Sequence, residues 1–267
     1  FVPLLFAALC WAAPAGAIVA VYEVTFDATW SAETHPLEVP PNPHFSGLVG
    51  GAHDPSNVVW EEGGLASPGM EAMAERGVWS TLADEVTAAG GEEILGIAIP
   101  FSPGTQSFQF AIDHRTPLVS LVAMLAPSPD WFVGVNGLRL WQGGAWLPEV
   151  VVELPPWDAG TDSGTTFLSL NADTQPPEPI AELTGYPFAG TGPVATFTFR
   201  QLPGCSDGID NDGDGLVDYN GPGAADPDPI CGGNPDRLLE HTRDCGLLGI
   251  EPLLGIALAR AARRRRR

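Results

Sequence analysis

An all-β, antiparallel β-sandwich with one or two short helices is the fold the sequence predicts, and three observations predict it. Short runs rich in β-branched and aromatic residues recur along the chain, each closed by Gly, Pro, Asn or Asp. The 32 Gly and 27 Pro among 267 residues favour turns over long helices. A hydrophobic content of 44% supplies a sizeable core, and only one stretch has helical periodicity. Short strands at regular spacing between such turns fit an antiparallel sandwich better than a parallel sheet.

Residues 18–26 (IVAVYEVTF) alternate and form the first expected strand. A proline-punctuated loop follows through Pro36, Pro40, Pro41 and Pro43, then a glycine-rich stretch, 44–53, that lacks a phosphate-binding spacing. Residues 67–89 are the helical candidate. Ser67 suits a cap, Pro68 suits the first turn, and Met70, Met73, Ala74, Val78, Leu82 and Val86 recur near helical spacing. Gly77 interrupts the pattern, which leaves one long helix and two short ones open. Further strands are expected at 94–99, 107–112, 118–125, 131–135, 138–141, 150–154, 166–170 and 194–200.

Charge narrows the function. Net charge is −21, but residues 18–244 hold 32 acids against six Arg, a net of −26. Such a surface repels nucleic acid and anionic lipid and attracts divalent cations. The chain has no Lys, which removes Schiff-base chemistry and a lysine grip on phosphate.

The stretch 127–164 concentrates the candidate chemistry. It opens Pro-Ser-Pro-Asp-Trp (127–131) and closes Trp-Asp-Ala-Gly-Thr-Asp-Ser-Gly (157–164), with apolar runs between. Strands with loops at their ends bring Asp130, Asp158 and Asp162 to one place. Three carboxylates there repel one another unless a cation lies between them, and all-oxygen ligands favour Ca²⁺. A second acidic segment packs Asp207, Asp210, Asp212, Asp214 and Asp218 into twelve residues. Asp210, Asp212 and Asp214 fall at positions 1, 3 and 5 of an EF-hand-like loop and Asp218 at position 9, but Gly221 stands where the bidentate Glu belongs. This segment is expected to hold Ca²⁺ as a rigidifier, not as a switch. Cys205 and Cys231 are the expected disulfide around it, with Cys205–Cys245 and Cys231–Cys245 left open.

Four regions follow: 1–17, an apolar run ending in small residues like a secretory leader; 18–200, the sandwich; 201–244, the aspartate-rich segment; and 245–267, a modest apolar segment ending in five Arg. The last resembles bacterial sorting tails of the PEP-CTERM or MYXO-CTERM kind and is the expected link to a membrane before processing.

Trp30-Ser31, His35-Pro36, His44-Phe45-Ser46, His53, Trp60, Gly64, Ala66-Ser67-x-Gly69, Ala74-Glu75-x-Gly77, Ser128-Pro129-Asp130-Trp131 and the run 157–164 together resemble the spondin amino-terminal domain, over roughly residues 20–187. The resemblance implies a β-sandwich like calcium-dependent phospholipid-binding modules. It also implies one Ca²⁺ held by Asp130, Asp158 and Asp162, and a role in adhesion. The chain departs from the animal members in lacking thrombospondin type 1 repeats and in having no cysteine in the sandwich region.

Catalysis finds little support in the residues. No HExxH pair, His-x-His or Gly-x-Ser-x-Gly elbow occurs, and a His44 or His53 dyad with Ser46 lacks a third group. Most Trp are expected in the core, with Trp131 and Trp157 bracing the metal loops or projecting beside the ion. The reading is an exported, non-catalytic, calcium-binding adhesion protein of a bacterial envelope whose partner is an extracellular protein or glycan. A secreted hydrolase acting on glycans or esters is the alternative.

Overall fold

Alternation in β1 (Val19–Ala28) carries Ala20, Tyr22, Val24, Phe26 and Ala28 to one face, and all five are buried. The computed structural model describes residues 18–211, 216–217, 229–231, 234 and 236–238. The chain continues through β2 (His44–Phe45), β3 (Val49–His53), α1 (Pro68–Arg76), α2 (Ser80–Ala88) and β4 (Glu92–Leu95). Four long strands come next: β5 (Gly104–Asp113), β6 (Leu118–Ala126), β7 (Trp131–Arg139) and, after the short hairpin β8 (Trp141–Gln142) and β9 (Ala145–Trp146), β10 (Glu149–Leu154). The short strands β11 (Trp157–Asp158) and β12 (Ala181–Glu182) precede β13 (Ala195–Gln201).

Two large antiparallel sheets result, besides the two-stranded β8-β9 pair. One has the order β10-β13-β1-β5; the other runs β12-β11-β7-β6-β3-β4, with β2 paired to β6. Phe26, Phe197 and Phe199 of the first sheet meet Leu121, Leu125, Val133 and Val135 of the second in one core. The helices cover the outer face of the larger sheet, where Met70, Met73 and Leu82 pack on Val49, Val122, Met124 and Phe132. β6 is therefore buried along its whole length. Covering on both faces explains why its sequence is continuously apolar and does not alternate.

The all-β sandwich expectation holds, and the helical stretch resolves as two helices. Gly77 adopts φ +64°, its N–H donates to Met73 O and the Val78 N–H to Ala72 O, so the helix stops there. Ser67 caps the other end, its hydroxyl accepting from Met70 N at 3.1 Å. Three local expectations are corrected. Residues 131–135 and 138–141 are largely one strand that passes Gly137 at φ +57°. Residues 49–53, within the glycine-rich stretch where no strand was expected, form a strand between β4 and β6. A Cβ on Gly50 would sit 1.9 Å from Ser120 O, so the glycine marks close backbone approach. Residues 166–170 are no strand: Ser169 N donates to Thr166 O, Thr166 N donates to Ser169 Oγ, and Leu168 and Leu170 face solvent. Phe167 alone turns inward, against Trp30, Trp131 and Phe188.

Candidate functional site

Asp130 ends the loop between β6 and β7 and is fully buried. The loop is braced at both ends. Trp131 N donates to Ser128 Oγ at 3.1 Å, and the Trp131 ring packs edge-on against Phe167 and Phe188. One carboxylate oxygen of Asp130, Oδ2, gathers the second loop: it accepts from Thr161 N at 2.8 Å, Asp162 N at 3.0 Å and Thr161 Oγ1 at 3.3 Å. Its main-chain oxygen takes Ala159 N at 3.2 Å. The other carboxylate oxygen, Oδ1, is buried with no hydrogen-bond partner.

The second loop is folded by its own aspartates. Asp158 Oδ1 accepts from Gly160 N at 2.8 Å. Asp162 Oδ1 accepts from Gly164 N at 2.7 Å, and its Oδ2 from Ala172 N at 2.9 Å. Gly160 holds φ +74°, and a Cβ there would lie 2.1 Å from Glu178 O, so only glycine fits this turn. Glu178 is drawn in because its N–H donates to Gly160 O at 2.8 Å.

The cluster is electrostatically strained. Burial, followed by the Asp158 charge, pushes the Asp130 carboxyl up to about 7, against the pull of the Asp162 and Thr161 N–H groups; Asp162 adds to the rise. Burial also raises Asp158, with Glu178 and Asp162 adding to it and the Gly160 N–H opposing. Glu75 on α1 rises mainly through burial, eased by the Thr161 hydroxyl and pushed further by Glu71 and Asp162.

The three sequence-derived aspartates thus lie in one loop cluster with unequal duties. Asp130 and Asp158 repel each other, whereas both oxygens of Asp162 are engaged by backbone N–H groups. Among the described residues no three His, Cys, Asp or Glu side chains form a preassembled metal cage. A cation nevertheless matches the donor chemistry: a buried carboxylate oxygen without a donor, beside a second, half-buried carboxylate, is stabilised by positive charge. Glu75 and Glu178 were not identified from the sequence as neighbours of these aspartates. Glu75 sits within the quoted Ala-Glu-x-Gly run, 74–77, but its approach depends on how α1 packs on the sheet.

Cys205 and Cys231 are disulfide-bonded, as expected. Asp207 Oδ1 accepts from Ile209 N at 3.0 Å, and Asn211 Nδ2 donates to Val19 O at 3.1 Å, which seats the segment's start on β1. Asp210 is described with its neighbours; Asp212, Asp214, Asp218 and Cys245 lie outside the described residues, as do residues 1–17 and 245–267.

No Ser–His dyad forms at residue 46. Ser46 Oγ donates to Gly47 O and accepts from Met124 N, while His44 Nδ1 lies 2.8 Å from Asn42 O. His53 instead meets Ser120 Oγ at 2.8 Å, and both residues are buried. Trp157 is half-buried and packs edge-on against Trp60, so it braces the second loop.

A family model described as Spondin_N matches residues 20–193. Spondin-2 of Rattus norvegicus is 36% identical over 216 residues, which are 73% of this chain and 64% of that protein. Human Spondin-2 is 38% identical over 194 residues, 69% of this chain and 58% of that protein. Human Spondin-1 is 38% identical over 176 residues, 62% of this chain and 22% of its own length. The chain therefore spans less than two thirds of each of these relatives.

Proposed function

Since the chain belongs to the spondin amino-terminal domain family, we propose that it is an exported, non-catalytic binding module whose loops are set by Ca²⁺. The observation that carries the metal is the unpartnered, buried Asp130 Oδ1 beside Asp158. Asp130 and Asp158 would hold the ion, with Asp162 ordering the loop around them and available as a further oxygen donor. When bound, Ca²⁺ supplies the positive charge that lets both carboxylates stay ionised in a buried site. The residues do the rest: Asp130 Oδ2 fixes the Thr161–Asp162 backbone, while Trp131 packs on Phe167 and Trp157 on Trp60 to brace the loops.

Adhesion to an extracellular protein or glycan is the role this arrangement serves, because ordered loops at one end of a rigid sandwich make a contact surface. The hydrolase alternative draws no support from the geometry, since the histidine hydrogen-bonded to a serine is buried with it. The leader-like 1–17 and arginine-ended 245–267 support export to a bacterial cell surface, and Asp207 to Asp218 support a second, stabilising Ca²⁺.

Calorimetric titration of Ca²⁺ tests the first site. Asp158→Ala is expected to weaken it at least about tenfold, the loss of one charged oxygen ligand. Unchanged affinity in that variant and in Asp130→Asn would remove the site.

A further inference from the structure

One flank of the sandwich is open at both sheets, where the four-stranded sheet ends on β5 and the larger sheet on β4. β5 pairs only with β1, and among the described residues the main-chain groups of Thr105 to Ile112 have no partner on the other side. Gly104 to Ile112 carry no charge. The other strands that end the sheets do carry carboxylates: Glu149 and Glu153 on β10, Glu92 and Glu93 on β4, and Glu182 on β12. Charged residues keep an exposed edge from pairing. In a chain of net charge −21, β5 lacks that protection.

The edge is also bordered by incompletely covered apolar side chains. Thr105, Ser107, Gln109 and Ala111 face outward, whereas Phe108 and Phe110 turn to the core and remain half-exposed. Phe108 lies against Gly96, and the residues on either side of that glycine, Leu95 and Ile97, are 43% and 54% exposed.

We propose that β5 pairs antiparallel with β5 of a second copy of this chain, joining the two four-stranded sheets into one. Among the described strands that end the sheets, β5 is the one that can meet its own copy without opposing carboxylates. Two copies repel across most of their surfaces, but Gly104 to Ile112 set no carboxylate against its mate. Residues opposed in an antiparallel pair point to the same face, so a twofold axis passes through a residue of the strand. With the axis at Phe108, Thr105 faces Ala111, Ser107 faces Gln109 and Phe108 faces its own counterpart. The paired stretch then stops short of Asp113, the first charged position, which Arg115 already neutralises. Cross-strand aromatic contact and newly formed main-chain hydrogen bonds hold the pair.

Sedimentation velocity on the full chain from roughly 1 to 500 µM tests this, since a self-paired edge is concentration-dependent. A reversible dimer is expected, weakened at least about tenfold by Ser107→Lys or Gln109→Lys, which bring like charges together across the axis. Thr198→Lys adds the same charge to the inner strand β13 and should leave the dimer intact. Amide exchange in residues 105–111 should slow as the dimer fills. A monomer throughout the range would overturn the proposal, including one that captures an extended segment of another protein instead. So would a dimer indifferent to both β5 lysines, or one equally sensitive to Thr198→Lys.

Discussion

The Asp130 carboxyl joins both loops of the site through one oxygen while the other lies buried without a donor. Without metal, the folded chain holds that proton up to about pH 7, far above the ordinary value of 3.8. Between those values only the folded state binds it, so the stabilising contribution is complete below the unfolded value and is lost as pH rises through about 7. Melting temperature in a chelator is therefore expected to fall between about pH 5.5 and pH 8, and saturating Ca²⁺ should suppress the fall. A melting temperature in chelator that climbs over this range would show that Asp130 is already ionised in the metal-free fold. Three aspartates at one site were legible at this scale because Asp-Ala-Gly-Thr-Asp and Pro-Asp-Trp are dense local patterns. Their division of labour was not, because it depends on which oxygen meets which N–H.

At the scale of elements, one side chain of α2 hydrogen-bonds the start of α1. Glu85 Oε1 accepts from Gly69 N at 2.8 Å and its Oε2 from Ser67 Oγ at 2.5 Å, while that same hydroxyl caps α1. Ser67→Ala is expected to cost about 1 kcal/mol, the usual worth of an N-cap. Because both partners serve one helix end, the Ser67→Ala and Glu85→Ala losses should sum to clearly more than the loss in the double variant. Additive losses in denaturant melts would show that the two contacts act independently. The cap and the helical stretch were readable, since Ser67, Pro68 and Gly77 are local signals, but the break at Gly77 into two helices was left open. The strand at 49–53 was not: glycines there mark crowding by Ser120 O and Val86, a contact visible only once β6 and α2 have packed.

For the whole molecule, the one disulfide among the described residues lies outside the two sheets. Cys205 and Cys231 close a 26-residue separation, and the segment touches the sandwich through Asn211 to Val19 O and Gln201 Nε2 to Leu238 O. The sandwich core contains no cysteine and rests on the two-sheet contact and the helix layer. Reduction is therefore expected to leave the main melting transition within about 2 °C while speeding protease cleavage at residues 205–211, because a cross-link constrains mainly the loop it closes. Loss of the main transition on reduction would mean that the sandwich depends on this appendage.

The sequence alone determined the fold class, the Ser67 cap and the spondin resemblance, and it favoured the Cys205–Cys231 pair, since turn residues, caps and short motifs act over a few positions. Tertiary structure decided what depends on distant segments meeting. It made 166–170 a turn, because Phe167 is claimed by Trp30 and Trp131. It brought Glu75 and Glu178 to the acidic loops and left β5 as an uncharged edge. Burial and exposure are properties of packed neighbours, and no local pattern of residues encodes which neighbours those are.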